Sequence, residues 1–209
     1  MRPDSQRIQE IVDTARSLYE RGYSFGTAGN ISIRTGDRVY ITPTNSSFAS
    51  LSVETMSQLD LNGKLLAGNK PSKETHFHLS AYRARPEACA VVHLHSTYAT
   101  AIACLRDIDM KDALPIFTPY FAMRIPSLPV VPYYPPGDLM LAQEVERCAA
   151  ISPAMLLRNH GPITMGKTLL EAAALAEELE EQSRLYFLLY GRGQQLTTTQ
   201  VEELRRPFR

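Results

Sequence analysis

The first segment of the chain carries its hydrophobic residues at helical spacing. Apolar side chains recur every three or four positions, which places them on one face of an α-helix. They are Ile8, Ile11, Val12, Ala15, Leu18 and Tyr19. Gly22 follows at a position where helices commonly end in a left-handed residue. The pattern therefore predicts an amphipathic helix that ends just before Gly22.

The next segment has the alternating pattern of two short strands. ISIR at 31–34 and RVYIT at 38–42 are separated by a Gly-Asp pair, which predicts a β-hairpin. The glycine-bearing loop GTAGN at 26–30 precedes the hairpin, and the polar loop TPTNSS at 42–47 follows it.

Two later apolar segments have the length and composition of buried strands. The first is AVVHLHS at 90–96, and the segment STYATAIACL after it is typical of a helix capped by Ser96 or Thr97. The second is AMLLRNHG at 154–161, which ends at a glycine turn. These segments predict strands in the interior of a sheet.

Two further helices are indicated by their first residues. Proline is tolerated in the first turn of a helix, so PSKETHFHLSAYRA predicts a helix that begins near Pro71. Thr168 and Glu171 have the spacing of a capping box, and the long helix that follows is predicted to stop at Gly191. Helices that alternate with short strands favour an α/β fold, with helices layered around a sheet.

The stretch from Pro115 to Pro136 has a different composition. It holds seven prolines in 22 residues, which exclude long helices and favour short strands or extended loops. Its aromatic side chains either line a pocket or pack in the core. They are Phe117, Tyr120, Phe121, Tyr133 and Tyr134.

The composition limits the number of domains and the kind of partner. A length of 209 residues with 44% hydrophobic content fits one compact domain spanning 1–209. The 22 basic and 22 acidic residues cancel and form no basic block. This balance argues against a nucleic-acid or membrane surface and favours a small-molecule partner.

The sequence was also searched for targeting segments and for cysteines at metal-ligand or redox spacing. The first residues interleave charged and apolar side chains, and no segment approaches the ~18 apolar residues of a spanning helix, so we expect a cytoplasmic protein. Cys89, Cys104 and Cys148 are far apart and match no metal-ligand or redox spacing. They are predicted to be small buried side chains.

His93 and His95 are the first candidates for chemistry. Side chains two apart on a strand point to the same face, so the two imidazoles are expected to project together. Buried histidines need partners. Those partners are either a metal ion or backbone carbonyls.

His160 adds a third candidate ligand, because it lies where an apolar strand ends and a glycine turn follows. Three protein ligands with an open position are typical of catalytic zinc, whereas structural zinc sites are usually closed by four ligands. The three histidines, His93, His95 and His160, therefore predict a catalytic divalent metal site.

Glu74 lies in the first turn of the helix predicted from Pro71. It is a candidate general base, a fourth metal ligand that substrate displaces, or an ordinary acidic residue at a helix start. His76 and His78 belong to the same helix. His78 is four residues from Glu74 and could hydrogen-bond to it, but a packing or supporting role is favoured for both histidines.

The loops GTAGN, TPTNSS and PSKE share small residues with hydroxyl or amide groups. Such loops can present backbone N–H donors to a phosphate group, although they also form ordinary turns. None of the three loops is by itself a specific signal for phosphate.

The order and spacing of four motifs resemble the class II aldolase/adducin family. The motifs are GTAGNISIR, ITPTNSSFASL, PSKETHFHLSAYRARPEACAVVHLHSTYATA and LLRNHGPITMGKTLLEA. The resemblance implies a three-layer α/β/α domain with a mixed, mostly antiparallel sheet. It also implies Zn²⁺ on the three histidines, with Mn²⁺ or Co²⁺ as other possible ions, and a homotetramer with active sites between subunits.

The resemblance also implies roles for individual residues. The family's phosphate-binding positions fall on Gly29, Asn30, Thr44, Asn45, Ser72 and Lys73. Its acid/base glutamate falls on Glu74, which can also complete the metal shell, and a second proton donor falls on Tyr120. The family's aldolases typically have glycine at the position of Asn45 and a small hydroxyl residue at that of Lys73.

Within the family, Lys73 and the segment LPIFTPYFAMRIPSLPVVPYYPPGD resemble the branch that decarboxylates 3-oxo-tetronate 4-phosphate. This implies release of CO₂ and formation of dihydroxyacetone phosphate through a metal-stabilised enediolate. Alternatives within the family are a fuculose-phosphate type aldolase, a methylthioribulose-phosphate dehydratase and a ribulose-phosphate epimerase. An alternative of a different class is a non-catalytic, adducin-like binding module.

Overall fold

The computed structural model describes residues 4–206, in which eight strands form one mixed sheet. The strands are β1 (Asn30–Thr35), β2 (Arg38–Ile41), β3 (Ser57–Asp60), β4 (Leu65–Ala67), β5 (Ala90–His93), β6 (Val130–Val131), β7 (Ala154–Leu157) and β8 (Gly161–Gly166). Their order across the sheet is β4-β3-β2-β1-β5-β8-β7-β6. Only β6 and β7 pair in parallel. The predicted mixed, mostly antiparallel sheet is confirmed.

The described residues include seven α-helices, six of which cover the two faces of this sheet, while the seventh packs on the fourth. They are α1 (Asp4–Glu20), α2 (Thr75–Ala84), α3 (Thr97–Ala103), α4 (Pro119–Arg124), α5 (Leu139–Ala149), α6 (Leu169–Leu189) and α7 (Thr198–Arg205). Helices α2 and α5 pack on one face, where Phe77 and Val145 join one buried cluster. Helices α1, α3, α4 and α6 pack on the other face. The predicted three-layer α/β/α architecture is confirmed.

Several predicted elements have the predicted bounds. Helix α1 ends at Glu20, and Gly22 adopts a left-handed φ of 79°. Strands β1 and β2 form the predicted hairpin, with Thr35 paired to Arg38. The proline-rich stretch contains only the short helix α4 and the two-residue strand β6. None of the described helices is long and apolar enough to span a bilayer.

The helix predicted from Pro71 begins four residues later, at Thr75. Pro71 instead forms an isolated β-bridge with Pro43, and Thr75 donates its backbone N–H to the Ser72 carbonyl in a turn. This turn places Glu74 at the cap of α2, and the bridge brings the PSKE and TPTNSS loops together.

The strand predicted over 90–96 is shorter, because β5 ends at His93. His95 follows the strand, immediately before α3, whose N-cap is Ser96 as predicted. The Ser96 side chain makes no capping bond. The Glu180 carboxylate of α6 instead accepts from the first backbone N–H groups of α3, those of Tyr98 and Ala99.

The prediction that all three cysteines are buried is wrong for two of them. Cys148 is buried in α5, but Cys104 is exposed at the end of α3 and Cys89 is half-buried. Cys104 follows the last turn of a helix whose opposite face packs inward, so its side chain points away from the core.

Candidate metal centre and active site

Three imidazoles converge at one end of the central strand pair β5–β8. His93 is the last residue of β5, His95 follows it, and His160 lies in the turn between β7 and β8. One nitrogen of each lies within 4.8 Å of the others, and the Nε2 atoms of His93 and His95 are 3.1 Å apart. The predicted cluster of three histidines is thus assembled, although His95 lies outside the strand.

The backbone at Gly161 makes this convergence possible. A Cβ atom at Gly161 would lie 2.2 Å from the carbonyl oxygen of Leu94, so only glycine allows the two segments to approach this closely. The approach brings His160 alongside His95. Their ring centroids are 4.8 Å apart.

His93 is held in a definite orientation beneath the other two rings. Its Nδ1–H donates to the Pro162 carbonyl oxygen at 2.9 Å, and its edge packs against the Phe77 ring. A ring that donates from Nδ1 leaves the Nε2 lone pair free to bind a metal, which is the usual arrangement of a metal-binding histidine.

Glu74 adds a carboxylate to the cluster. Its Oε1 lies 3.2 Å from Nε2 of His160, and its Oε2 lies 3.5 Å from Nε2 of His93. The Oε1 atom is buried and makes no hydrogen bond. A buried carboxylate oxygen without a hydrogen donor is costly unless a cation occupies the space in front of it.

The protonation states of these groups suit a metal ion. Burial lowers the pKa of His93 well below its usual value and that of His95 to about 4. Burial acts to raise the pKa of Glu74, but the neighbouring imidazoles of His93 and His160 and the Asn30 amide outweigh it and lower that pKa. Neutral imidazoles at His93 and His95 and an ionised Glu74 carboxylate can bind a divalent ion without first losing protons.

The cluster opens into a cavity of about 290 Å³. Glu74, His95 and His160 line it, and His93 lies below its floor. All six residues predicted to bind phosphate also line this cavity. They are Gly29, Asn30, Thr44, Asn45, Ser72 and Lys73.

Two backbone conformations shape the loops predicted to bind phosphate. Gly29 has a φ of 86°, and a Cβ there would lie 2.9 Å from the His93 carbonyl oxygen. Asn45 has a left-handed φ of 56°, a conformation that glycine adopts freely and asparagine tolerates better than most residues. Asn45 can therefore stand where the family's aldolases typically have glycine without a change in the backbone conformation of the loop.

Two predicted site residues have unexpected surroundings. Asn30 is buried, and its side-chain amide contacts Glu74 and His78. Tyr120 lies on α4 with 63% of its surface exposed, stacks with Arg124 and does not line the cavity of its own chain. Their predicted roles in phosphate binding and proton donation therefore stay predictions.

Comparison of the sequence with known protein families identifies the family of this chain. The family described as the class II aldolase and adducin N-terminal domain matches residues 9–187. The chain belongs to the class II aldolase and adducin family.

Relatives in this family match the chain over almost its full length. A 3-oxo-tetronate 4-phosphate decarboxylase of Haemophilus influenzae is 50% identical over 203 residues, which cover 96% of this chain and 97% of the relative. The enzyme of the same name from Escherichia coli strain K12 is 45% identical, with 94% of both chains covered. An L-fuculose phosphate aldolase of Methanococcus maripaludis is 40% identical over 87% of this chain and 97% of its own.

Solved structures of the family have the same fold. YgbL from Escherichia coli, described as an aldolase/epimerase/decarboxylase, superposes with a TM-score of 0.94 at 43% identity and covers 97% of this chain and 99% of its own. An L-fuculose 1-phosphate aldolase superposes with a TM-score of 0.89 at 29% identity, covering 97% of this chain and 96% of its own. Both results support the same three-layer architecture.

The histidines buried near the cavity make stability depend on pH. Burial lowers the pKa of His78 to about 3, whereas an unfolded histidine titrates near 6.5. Between these values the unfolded chain binds a proton that the folded chain does not, so stability falls as pH falls. For His78 alone the expected loss at pH 5 is about 2 kcal/mol.

Urea unfolding of the metal-free protein between about pH 7 and pH 5 measures this loss. The free energy of unfolding of His78→Gln should fall less steeply with decreasing pH than that of the wild type. The difference in slope should correspond to about one proton fewer taken up on unfolding. His76→Gln, on the exposed side of the same helix, is the matched control. Equal slopes for wild type and His78→Gln would contradict the prediction.

Proposed function

We propose that this protein is a metal-dependent carboxy-lyase that converts 3-oxo-tetronate 4-phosphate into dihydroxyacetone phosphate and CO₂. The observation that carries the proposal is full-length similarity, at 45–50% identity, to several enzymes named for this reaction. The cavity supports it with three functional regions that the substrate requires. These are a cluster of candidate metal ligands, a set of loops suited to phosphate and a cationic side chain at the cavity edge.

The metal that fits best is Zn²⁺, held by His93, His95 and His160 with Glu74 as a further ligand that substrate displaces. Three imidazoles form a donor set typical of catalytic zinc, with the carboxylate at the position that substrate would take, and Mn²⁺ and Co²⁺ are ions that the same donors can bind. A divalent ion here would act as a Lewis acid toward the substrate carbonyl.

The phosphate end of the substrate is assigned to the loops around Gly29, Thr44 and Ser72. Their backbone N–H groups and hydroxyls are donors suited to phosphate oxygens. Lys73 is exposed at the edge of the same cavity, and its ammonium group is assigned to the carboxylate end of the substrate. Binding at these loops orients the carbon chain toward Glu74 and the histidines.

The chemical step breaks the bond between C1 and C2 of the substrate. The bonding electrons pass to the C3 carbonyl oxygen, CO₂ leaves, and C2 becomes the nucleophilic carbon of an enediolate. One proton from solvent must then reach C2 to give dihydroxyacetone phosphate. Glu74 is the residue proposed to carry that proton, because its carboxylate lies at the cavity wall beside the histidines.

Lys73 is expected to favour a substrate that bears a carboxylate. An aldolase substrate has no carboxylate at the carbon that leaves, so a cationic group near that carbon distinguishes the two reactions. Lys73→Ala should lower kcat/KM for CO₂ release by roughly tenfold to a hundredfold, the effect of losing one charge-assisted hydrogen bond.

The control for this prediction is Lys70→Ala, which removes an exposed lysine just outside the cavity lining. CO₂ release and dihydroxyacetone phosphate are followed together for wild type and both variants. Unchanged turnover in Lys73→Ala would show that the lysine does not recognise the carboxylate.

The second candidate function is a fuculose-phosphate type aldolase, favoured by the 40% identical archaeal relative. The two reactions share a phosphorylated product and differ in the leaving group. Purified protein is therefore incubated separately with 3-oxo-tetronate 4-phosphates and with fuculose 1-phosphate. CO₂ from the first supports the decarboxylase, whereas an aldehyde from the second without CO₂ from the first overturns it.

The proposal includes a single domain over residues 1–209, a homotetramer in the cytoplasm, and active sites between subunits. Tyr120 is exposed on α4, which suits a residue that reaches the cavity of an adjacent copy. Mixed tetramers of Glu74→Gln and Tyr120→Phe subunits should then recover activity, because some sites combine an intact Glu74 with an intact Tyr120. Mixtures no more active than the separate variants would contradict the shared site.

A further inference from the structure

Five polar side chains interleave between helix α2 and strand β1. Glu74, His78 and Tyr82 are spaced four residues apart and lie along one stripe of α2 and its cap. Asn30 and Ser32 are two residues apart and lie on one face of β1. All five are buried, with at most 5% of each residue exposed.

These side chains form one continuous chain of hydrogen bonds. The Asn30 Nδ2–H donates to Oε2 of Glu74 at 2.8 Å, and Oδ1 of Asn30 contacts Nε2 of His78. The other ring nitrogen of His78, Nδ1, lies 2.8 Å from the Ser32 hydroxyl, which lies 2.7 Å from the Tyr82 hydroxyl. The chain therefore runs from Tyr82 to the carboxylate in the cavity.

The Glu74 carboxylate at one end of this chain determines which atom donates in each hydrogen bond. An ionised carboxylate only accepts, so the group of Asn30 that faces Glu74 must be the NH₂, and its oxygen must face His78. His78 therefore donates from Nε2 and accepts at Nδ1. Ser32 must donate to Nδ1 and accept from Tyr82. Every hydrogen bond points toward Glu74.

We propose that His78 is a positioning residue of the active site, which acts on Glu74 through Asn30. The His78 Nε2–H holds the Asn30 amide in the one orientation that presents its NH₂ to the carboxylate. Without that donor the amide can turn over, which would set its oxygen against the oxygen of Glu74. His78 thus keeps the Glu74 carboxylate aimed into the cavity, a role that rests on the proposed function of Glu74 in proton transfer.

The chain is also anchored at its far end. The Arg34 guanidinium lies 5.3 Å from the centre of the Tyr82 ring, and it donates to the Ala88 carbonyl oxygen. The Phe77 ring stacks on the His78 imidazole at 4.8 Å. These contacts fix the imidazole plane, so the Nε2–H direction is set by packing as well as by hydrogen bonds.

Three variants separate positioning from a merely structural role. His78→Leu removes the donor and should lower kcat by roughly tenfold to a hundredfold, the usual cost of losing a group that orients an active-site residue, with a smaller change in KM. His78→Gln restores an N–H and should recover most of kcat. Tyr82→Phe removes a buried hydrogen bond from the same chain but leaves the contact between His78 and Asn30, so its kcat should stay within a few-fold of wild type.

Metal content and the free energy of unfolding are measured for each variant. The proposal is supported if kcat follows the donor at position 78 while stability is lost in His78→Leu and Tyr82→Phe alike. It is overturned if the three variants lower kcat in proportion to their loss of stability, or if glutamine does not rescue.

A second measurement needs neither substrate nor metal. Long-range ¹H–¹⁵N correlation spectra of the metal-free protein, with labelled histidine, report which ring nitrogen of His78 carries the proton. The expected result near neutral pH is the Nε2–H tautomer. The Nδ1–H tautomer or a doubly protonated ring would refute the proposal, even where His78→Leu fails to fold. Absence of CO₂ release by the wild type would instead refute the proposed reaction and leave this result standing.

Discussion

Glu74→Gln should lower kcat by about two to four orders of magnitude, the range that general acid–base groups contribute. Glutamine has nearly the same shape and can still accept from Asn30, but it cannot carry a proton. The loss should therefore fall on the chemical step, with a small change in KM. Steady-state rates of CO₂ release, with metal content measured on the same samples, test this.

The control is Glu54→Gln, which removes a solvent-exposed carboxylate beyond the cavity lining. Its kcat should equal that of the wild type. If Glu74→Gln retains wild-type kcat with a full complement of metal, Glu74 is not the proton-transfer residue. A loss of metal in Glu74→Gln would identify the carboxylate as an indispensable ligand instead.

His95→Ala should remove both metal and activity. Groups that merely support a metal ligand contribute about tenfold to a hundredfold to affinity, so loss of the ligand itself is expected to cost at least that much. His95 is the candidate ligand to substitute, because it lies outside β5 and is only partly buried. His93 is fully buried in the core, so its substitution would also disturb folding.

Elemental analysis after dialysis, and turnover after addition of Zn²⁺, Mn²⁺ or Co²⁺, test this prediction. His76→Ala is the matched control, since it removes an exposed imidazole from α2. Wild-type protein that gains no activity with any of these ions would contradict the metal-dependent reaction. Full metal content in His95→Ala would remove His95 from the ligand set.

The candidate metal ligands are predictable from the sequence because each is marked by the residues beside it. β5 ends at His93, yet the Nε2 atoms of His93 and His95 lie 3.1 Å apart, so the two rings meet although the strand is shorter than predicted. His160 was recognisable from the apolar run and glycine turn around it. The loops that line the cavity are recognisable from their small polar residues, and Asn45 takes a left-handed conformation, as expected at a position where the family's aldolases typically have glycine.

The parts that could not be predicted depend on contacts between distant segments. The start of α2 shifts because Pro71 pairs with Pro43 in a neighbouring loop. The contact of Asn30 with Glu74 joins residues 44 positions apart. Each of the two polar stripes has a pattern in the sequence. N-x-S in β1 places two polar side chains on one strand face, and E-x₃-H-x₃-Y at the start of α2 places three along one helix face. Only the packing of α2 on β1 shows that the two stripes meet.

The close approach at Gly161 also bears on the order in which the protein folds and acquires its ion. The candidate ligands come from β5, from the turn before β8 and from the cap of α2, so they meet only after the central strands have paired. Contacts of such long sequence separation form late, because loop closure must precede them. We therefore expect metallation to follow folding, so that a cell short of metal accumulates folded apoprotein that an added ion can activate within a single binding step.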